Sequence, residues 1–278
     1  MATHESVLVY RGFRYLKLAS LAAVVAVAAY AAHSPLGEPN GGTWLGYTLG
    51  SVGAILILWL MWFGIRKRTY AAGPGKLEDW LSAHVYLGLA LIIIATLHTG
   101  FQFGINVHTL AYALMMVVII TGIYGLYAYT RYPRQMTDNR RGVSLENLLR
   151  EIAELGQECN NLSMELSDEI NVMVVEAGQN TGVGGGFLRQ LSGRDPNCLS
   201  TAALDRVQAM AATLQGEDAV QARRLITRLS RKCDLLARAR KDVQFLALMQ
   251  VFLFVHVPMS FALLAALGAH VFIVFFYW

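Results

Sequence analysis

The sequence predicts an all-α integral membrane protein: a bundle of five transmembrane helices with a helical cytoplasmic insertion between the fourth and the fifth. Of its 278 residues, 55% are hydrophobic and only 15% are charged, and the mean hydropathy is +0.42. Five apolar stretches are long enough to cross about 30 Å of hydrocarbon. They lie at residues 15–32, 43–65, 80–103, 107–130 and 243–277.

The loops between these stretches predict the orientation of the chain. Basic residues precede the first stretch, lie between the second and third, and follow the fourth, whereas the linkers at 33–42 and 104–106 carry almost none. Because positively charged loops stay inside, we expect a bacterial inner-membrane protein with a cytoplasmic N-terminus. The first stretch has features of a signal peptide near Ala32, but we expect it to be retained as a helix because the sequence starts at Met1.

A polar insertion at residues 131–242 is longer than a connection requires. Ser144 is a predicted N-cap for a helix from Leu145 to about Val175, because apolar residues then recur at helical spacing. The glycine-rich residues 178–196 predict a flexible linker.

Two more helical runs follow that linker. One begins near Leu199, and the other begins at Glu217 and continues unbroken into the fifth membrane helix. The predicted domains are therefore membrane helices one to four at 1–130, the cytoplasmic insertion at 131–242, and the fifth membrane helix at 243–278.

Four histidines lie inside apolar stretches as two pairs with the same spacing: His84 and His98 in the third stretch, and His256 and His270 in the fifth, each pair fourteen residues apart. Fourteen residues place two rings about 21 Å apart along a helix and about 40° short of four whole turns, so both face nearly the same way. Ionisable residues are rare in membrane helices and tend to mark function. The pattern predicts that these four histidines bind the iron of two haem b groups, one near each membrane surface.

The predicted topology decides which histidines share a haem. The third and fifth stretches both run from inside to outside, so His84 pairs with His256 near the cytoplasm and His98 pairs with His270 near the outer surface. An antiparallel arrangement would instead pair His84 with His270.

Two other interpretations use the same histidines. Histidines on an apolar face are often core residues that bond nearby hydroxyl groups, and neutral imidazole also binds zinc. A zinc site gathers three or four ligands within a few ångströms, whereas the two histidines of one helix are about 21 Å apart. The sequence has no C-x-x-C-H motif for covalent haem. Its cysteines, Cys159, Cys198 and Cys233, lie in the predicted cytoplasmic region, where we expect reduced structural thiols.

Helices beside a flat macrocycle need small residues, and glycine recurs in these stretches. Small residues also serve plain helix packing in membranes. We assign Gly53, Gly88 and Gly122 to the cofactor site. Other glycines in the same stretches are Gly46, Gly50, Gly64, Gly125 and Gly268.

Segments 80–84 and 98–101, together with segment 256–258 and His270, resemble the di-haem cytochrome b bundles of bc complexes and of the ferric reductase and NADPH oxidase membrane domain. The resemblance covers the membrane half of the chain, and the use of the third and fifth helices looks most like the ferric reductase type. It implies two haems held by paired histidines. No flavin or nicotinamide domain follows the fifth stretch, so we expect any cytoplasmic reductant to come from another polypeptide.

An iron with two histidine ligands has no open coordination position, which favours electron transfer over substrate chemistry at the metal. We therefore expect an electron-transfer subunit of an oxidoreductase complex of the respiratory chain type. Expected partners are other subunits of a membrane redox complex, a quinone or quinol, a cytoplasmic or periplasmic electron-carrier protein, and lipid. A net charge of only +4 in a membrane protein argues against nucleic acid.

Two alternatives remain open at the level of sequence. The first alternative is an enzyme that oxidises quinol or reduces a metal at the outer haem. The second is a haem-free membrane scaffold whose insertion binds partners. The basic run at 223–241 fits contact with lipid headgroups or a docking surface for an acidic carrier protein. His108, near the predicted level of His98 and His270, is a candidate to bond a haem propionate, relay a proton or contact quinol.

Overall fold

The computed structural model describes residues 8–35, 37–68 and 76–276, without the side chains of residues 65, 67 and 68. The predicted cytoplasmic N-terminus, most of the loop between the second and third stretches, and the end of the fifth stretch lie outside these ranges. The described residues are all-α, as predicted. The helices are α1 (Tyr10–Ala32), α2 (Trp44–Arg68), α3 (Leu77–Thr99), α4 (Val107–Arg140), α5 (Leu145–Ser163), α6 (Asp168–Asn180), α7 (Phe187–Ser192), α8 (Leu199–Ala211) and α9 (Gly216–Phe276).

Five described helices, α1 to α4 and α9, are long and apolar enough to span a membrane, which confirms the predicted set. Their ends differ from the apolar stretches. Helix α3 ends at Thr99, short of the predicted residue 103, because Gly100 takes a left-handed conformation (φ +58) that closes the helix. Helix α4 runs on to Arg140, beyond its apolar part.

The chain divides into two compact units. Unit 1 comprises Met1–Gly125 with Phe252–Trp278, and unit 2 comprises Leu126–Val251. In unit 1, apolar side chains of α1, α2 and α3 form one buried cluster, which includes Leu49 and Ile94. A second cluster joins α2 and α3 to the unit 1 parts of α4 and α9, and its buried members are Ile57, Leu91, Met115 and Leu263.

In unit 2, helices α5, α6 and α8 pack with the first part of α9. The predicted cap is confirmed, because the Ser144 hydroxyl accepts a hydrogen bond from the Asn147 amide at 3.1 Å. The predicted single helix from Leu145 to about Val175 is wrong, since α5 ends at Ser163 and α6 begins at Asp168. Folding α6 back buries an apolar cluster at Cys159, Ile170, Val174, Val207, Leu225 and Leu229.

Four of the eight basic residues in the run of α9 form ion pairs within unit 2: Arg228, Arg231, Arg238 and Arg240. Arg228 contacts Glu158 at 3.1 Å and Arg231 contacts Glu151 at 2.9 Å, so both hold α9 to α5. These pairs are half exposed and each contributes less than about 1 kcal/mol. The charge available to a lipid or carrier surface is therefore smaller than the sequence indicates.

A buried ion pair joins the end of α4 to α9. The Asp242 carboxylate is fully buried and is paired with Arg140. It also accepts a hydrogen bond from Asn139 Nδ2 at 2.9 Å. A buried charge of this kind depends strongly on its partner.

The segment at 178–196, predicted as a flexible linker, is not without secondary structure. This segment contains α7, and side chains of α9 donate to its carbonyls: Arg240 to Gly182 at 3.0 Å and Gln244 to Leu191 at 2.9 Å. Arg240 also donates to the Cys198 thiol at 3.3 Å. Burial raises the pKa of this thiol, but hydrogen bonds from Thr201 and Arg240 and the charge of Arg240 hold it below its ordinary value.

Candidate functional site

The four candidate histidines all lie in unit 1, on α3 and on the membrane part of α9. The rings of His98 and His270 lie with their centroids 6.0 Å apart and their planes at 86°. His84 and His256 lie on the same two helices, α3 and α9. The structure thus sets His270 beside His98, which is the arrangement that parallel matching of the helices predicts.

The separation of His98 and His270 suits two ligands on opposite sides of one iron. An imidazole nitrogen lies about 2 Å from a metal that it binds, and the ring centroid lies about 1 Å behind that nitrogen. Two axial imidazoles therefore have centroids about 6 Å apart, which is the distance between these two rings.

His98 is oriented by the main chain of α2. Its Nδ1 lies 2.8 Å from the Gly46 carbonyl oxygen, which can only accept, so Nδ1 carries the hydrogen and donates. The neutral ring then has a bare Nε2. This is the nitrogen that a metal-binding histidine presents while its other nitrogen is held by a carbonyl.

His256 is oriented by a hydroxyl on α4. Its Nδ1 lies 3.0 Å from Thr121 Oγ1, and that hydroxyl gives its own hydrogen to the carbonyls of Val117 and Val118, both at 2.9 Å. With its hydrogen on one of those carbonyls, the Thr121 oxygen faces the imidazole with a lone pair, and His256 is then the tautomer that donates from Nδ1. His256 Nε2 is bare as well.

His84 has a less complete set of contacts. Its ring packs against Phe63 with a centroid distance of 5.0 Å. Its buried Nδ1 makes no hydrogen bond to another residue that the structure describes. A buried nitrogen without a partner is costly.

A further histidine, His108 on α4, contacts His270. The Nδ1 atoms of His108 and His270 are in hydrogen-bond contact, and their ring centroids are 4.6 Å apart. The sequence places His108 near this level but leaves its role open.

The glycines differ in what they face. Gly50 lies against His98, since a Cβ there would come within 2.6 Å of His98 Cε1. Gly122 lies against His256, with the corresponding distance 3.3 Å. A Cβ at Gly53 would contact Leu91 at 3.7 Å, and one at Gly88 would meet no atom within 4 Å.

Sequence reasoning did not assign three groups that contact the histidines. Thr121 is a hydroxyl residue in an apolar stretch, which is a weak signal. Gly50 was one glycine among several, and the Gly46 carbonyl has no signal in the sequence because every residue carries one. Within the described residues, no group of three or more His, Cys, Asp or Glu side chains is arranged to hold a metal ion by itself. His98 and His270 are close enough for both to hold one bound metal-containing group.

The fold and these contacts define the class of the protein as an all-α, multi-span membrane protein with half-buried histidines in its membrane helices. Comparisons with protein-family models, curated proteins and solved structures found no match.

Proposed function

We propose that this protein is a di-haem b-type membrane cytochrome subunit that carries electrons across the membrane between a donor and an acceptor. The observation that carries the proposal is the pairing of His98 with His270 at 6.0 Å, in two helices that each repeat a histidine at the same interval. His98 and His270 would hold one haem, and His84 and His256 the other. When bound, each haem supplies an iron that gains or loses one electron.

The residues of the chain position and tune these groups. His98 and His256 donate from Nδ1 to the Gly46 carbonyl and the Thr121 hydroxyl, which fixes the nitrogen that faces the iron. Repeating histidines fourteen residues apart sets the two sites about 21 Å apart along the helices, on the scale of the hydrocarbon thickness. The unit therefore suits transfer between the two faces of a membrane.

The donor and the acceptor are proposed as a quinone or quinol and a redox protein, within a larger membrane redox complex. In the predicted orientation the His84/His256 pair lies near the cytoplasm and the His98/His270 pair near the outer surface of a bacterial inner membrane. The insertion at 131–242 would then lie in the cytoplasm.

The test is the dithionite-reduced minus oxidised spectrum of the purified chain, with haem quantified as the pyridine haemochrome. We expect two b haems per chain, and one after either His98→Ala or His256→Ala. His33→Ala is the matched control, because it also removes a histidine ring but one outside the two proposed pairs. The His33 ring packs on Trp44 with a centroid distance of 5.2 Å, and the variant should keep both haems. Absence of haem from the wild-type chain after haem-sufficient expression would overturn the proposal and favour a haem-free scaffold.

A further inference from the structure

His108 is held in place at the start of α4, one residue after the helix begins at Val107. Asn106 caps this helix: its side-chain oxygen accepts from the Thr109 amide at 2.9 Å, and its carbonyl accepts from the Leu110 amide at 3.1 Å. The backbone that carries His108 is thus fixed independently of any bound group.

A second contact fixes α4 against α3 at the same level. The hydroxyls of Thr96 and Tyr112 are 2.9 Å apart, and Thr96 donates to the Ile92 carbonyl at 2.7 Å. With its hydrogen on that carbonyl, Thr96 accepts from the Tyr112 hydroxyl. Because Thr96 precedes His98 by two residues and Tyr112 follows His108 by four, the bond ties together the turns that carry these two histidines.

The contact between His108 and His270 joins two Nδ1 atoms, so only one of them can carry the hydrogen. If His270 Nε2 binds iron, it must present a lone pair there, and its hydrogen must be on Nδ1. His108 Nδ1 is then the acceptor, and the hydrogen of the neutral His108 ring is on its Nε2. His270 is in this way the counterpart of His98 and His256, which donate to a carbonyl and a hydroxyl.

We propose that His108 is a positioning residue for His270, an inference that rests on the proposed function. His108 selects the tautomer of His270, sets the rotation of its ring, and withdraws its Nδ1 hydrogen so that Nε2 is a stronger base. Partners of this kind orient metal-binding histidines and tune the metal. A more basic ligand stabilises ferric iron over ferrous iron, so His108 lowers the reduction potential of the haem held by His98 and His270.

The test compares His108→Leu, which removes the acceptor, with His108→Gln, whose side-chain oxygen still accepts. Both are made in the His256→Ala variant, which should hold only the His98/His270 haem, and each is followed by redox titration at one pH and by electron paramagnetic resonance of the ferric state. We expect His108→Leu to shift the potential upward and change the g-values, and His108→Gln to return both towards those of His256→Ala alone. His33→Leu is the control and should leave both unchanged.

Three results would overturn the inference: an unchanged potential and spectrum in His108→Leu, equal shifts in the Leu and Gln variants, or loss of haem from both. Loss of haem from His108→Leu alone, with His108→Gln unaffected, would support it. A His256→Ala chain that binds no haem would instead count against the proposed function. His108→Leu is then titrated in the otherwise wild-type chain, where a shift in one of the two reduction potentials supports the role of His108 and two unchanged potentials overturn it.

Discussion

Replacing Gly50 with alanine should remove one of the two proposed haems and leave the other. A Cβ at this position would lie 2.6 Å from Cε1 and 2.8 Å from Nδ1 of His98, whereas ordinary contact begins at 3.4 Å. The ring must therefore retreat by about 0.8 Å, the difference between those distances. Metal–ligand distances tolerate only about 0.2 Å. We expect Gly50→Ala to lose the haem of the His98/His270 pair.

Two further alanine variants make the comparison quantitative. At Gly122 the added Cβ would lie 3.3 Å from His256 Cε1, so a displacement of about 0.1 Å restores ordinary contact, and both haems should remain. Gly64 lies on α2 like Gly50, but a Cβ there meets no atom within 4 Å. Gly64→Ala is therefore the control for the effect of alanine on the helix itself, which is favourable by about 1 kcal/mol.

Haem per chain, measured as the pyridine haemochrome on purified protein, distinguishes the variants. We expect about one haem for Gly50→Ala and two for both Gly122→Ala and Gly64→Ala, with similar circular dichroism throughout. Two haems in Gly50→Ala, with the wild-type spectrum, would refute the steric reasoning. Equal losses in Gly50→Ala and Gly64→Ala would show that the helix, rather than the contact with His98, is responsible.

Three other substitutions test contacts described above. Arg140→Leu leaves the buried Asp242 carboxylate without its cation and should lower the free energy of unfolding by about 3 kcal/mol. Denaturant unfolding should show that adding Asp242→Leu restores part of this free energy. A decrease below about 1 kcal/mol in Arg140→Leu would contradict the importance of the pair. Thr121→Val removes the acceptor of His256 and should raise the potential of one haem in a redox titration, whereas an unchanged titration would exclude this tuning. Ser144→Ala should cost about 1 kcal/mol in the same unfolding assay while Ser144→Asp costs little, and equal stability of the two variants would count against the cap.

The features that the sequence predicts well are local ones. Span length, the Ser144 cap and the continuous α9 each depend on residues that are close together in the chain. The break between α5 and α6 was missed because the apolar spacing continues through it. In the structure, Ser163 at the end of α5 donates to the side-chain oxygen of Asn171 on α6 at 3.0 Å. Only the fold of the chain brings those two residues together.

The choice among glycines shows a second limit of sequence reasoning. Gly50 and Gly53 lie on one helix that is apolar on all sides, so hydropathy does not fix its rotation. The structure turns Gly50 towards His98 and Gly53 towards Leu91. The hydrogen-bond partners of the histidines lie on α2 and α4. They are far from the histidines in sequence, so no local pattern in the sequence predicts these contacts.

The hydrogen bond from His98 to Gly46 has a consequence for how the protein can vary. Its acceptor is a main-chain carbonyl, with two lone pairs that allow it to serve the helix and the imidazole together. No single substitution can delete that oxygen, whereas one methyl group at Gly50 suffices to displace the ring. The hydrogen bond that orients His98 therefore tolerates any side chain at position 46 that keeps the backbone in place. The space for the His98 ring depends on glycine at position 50.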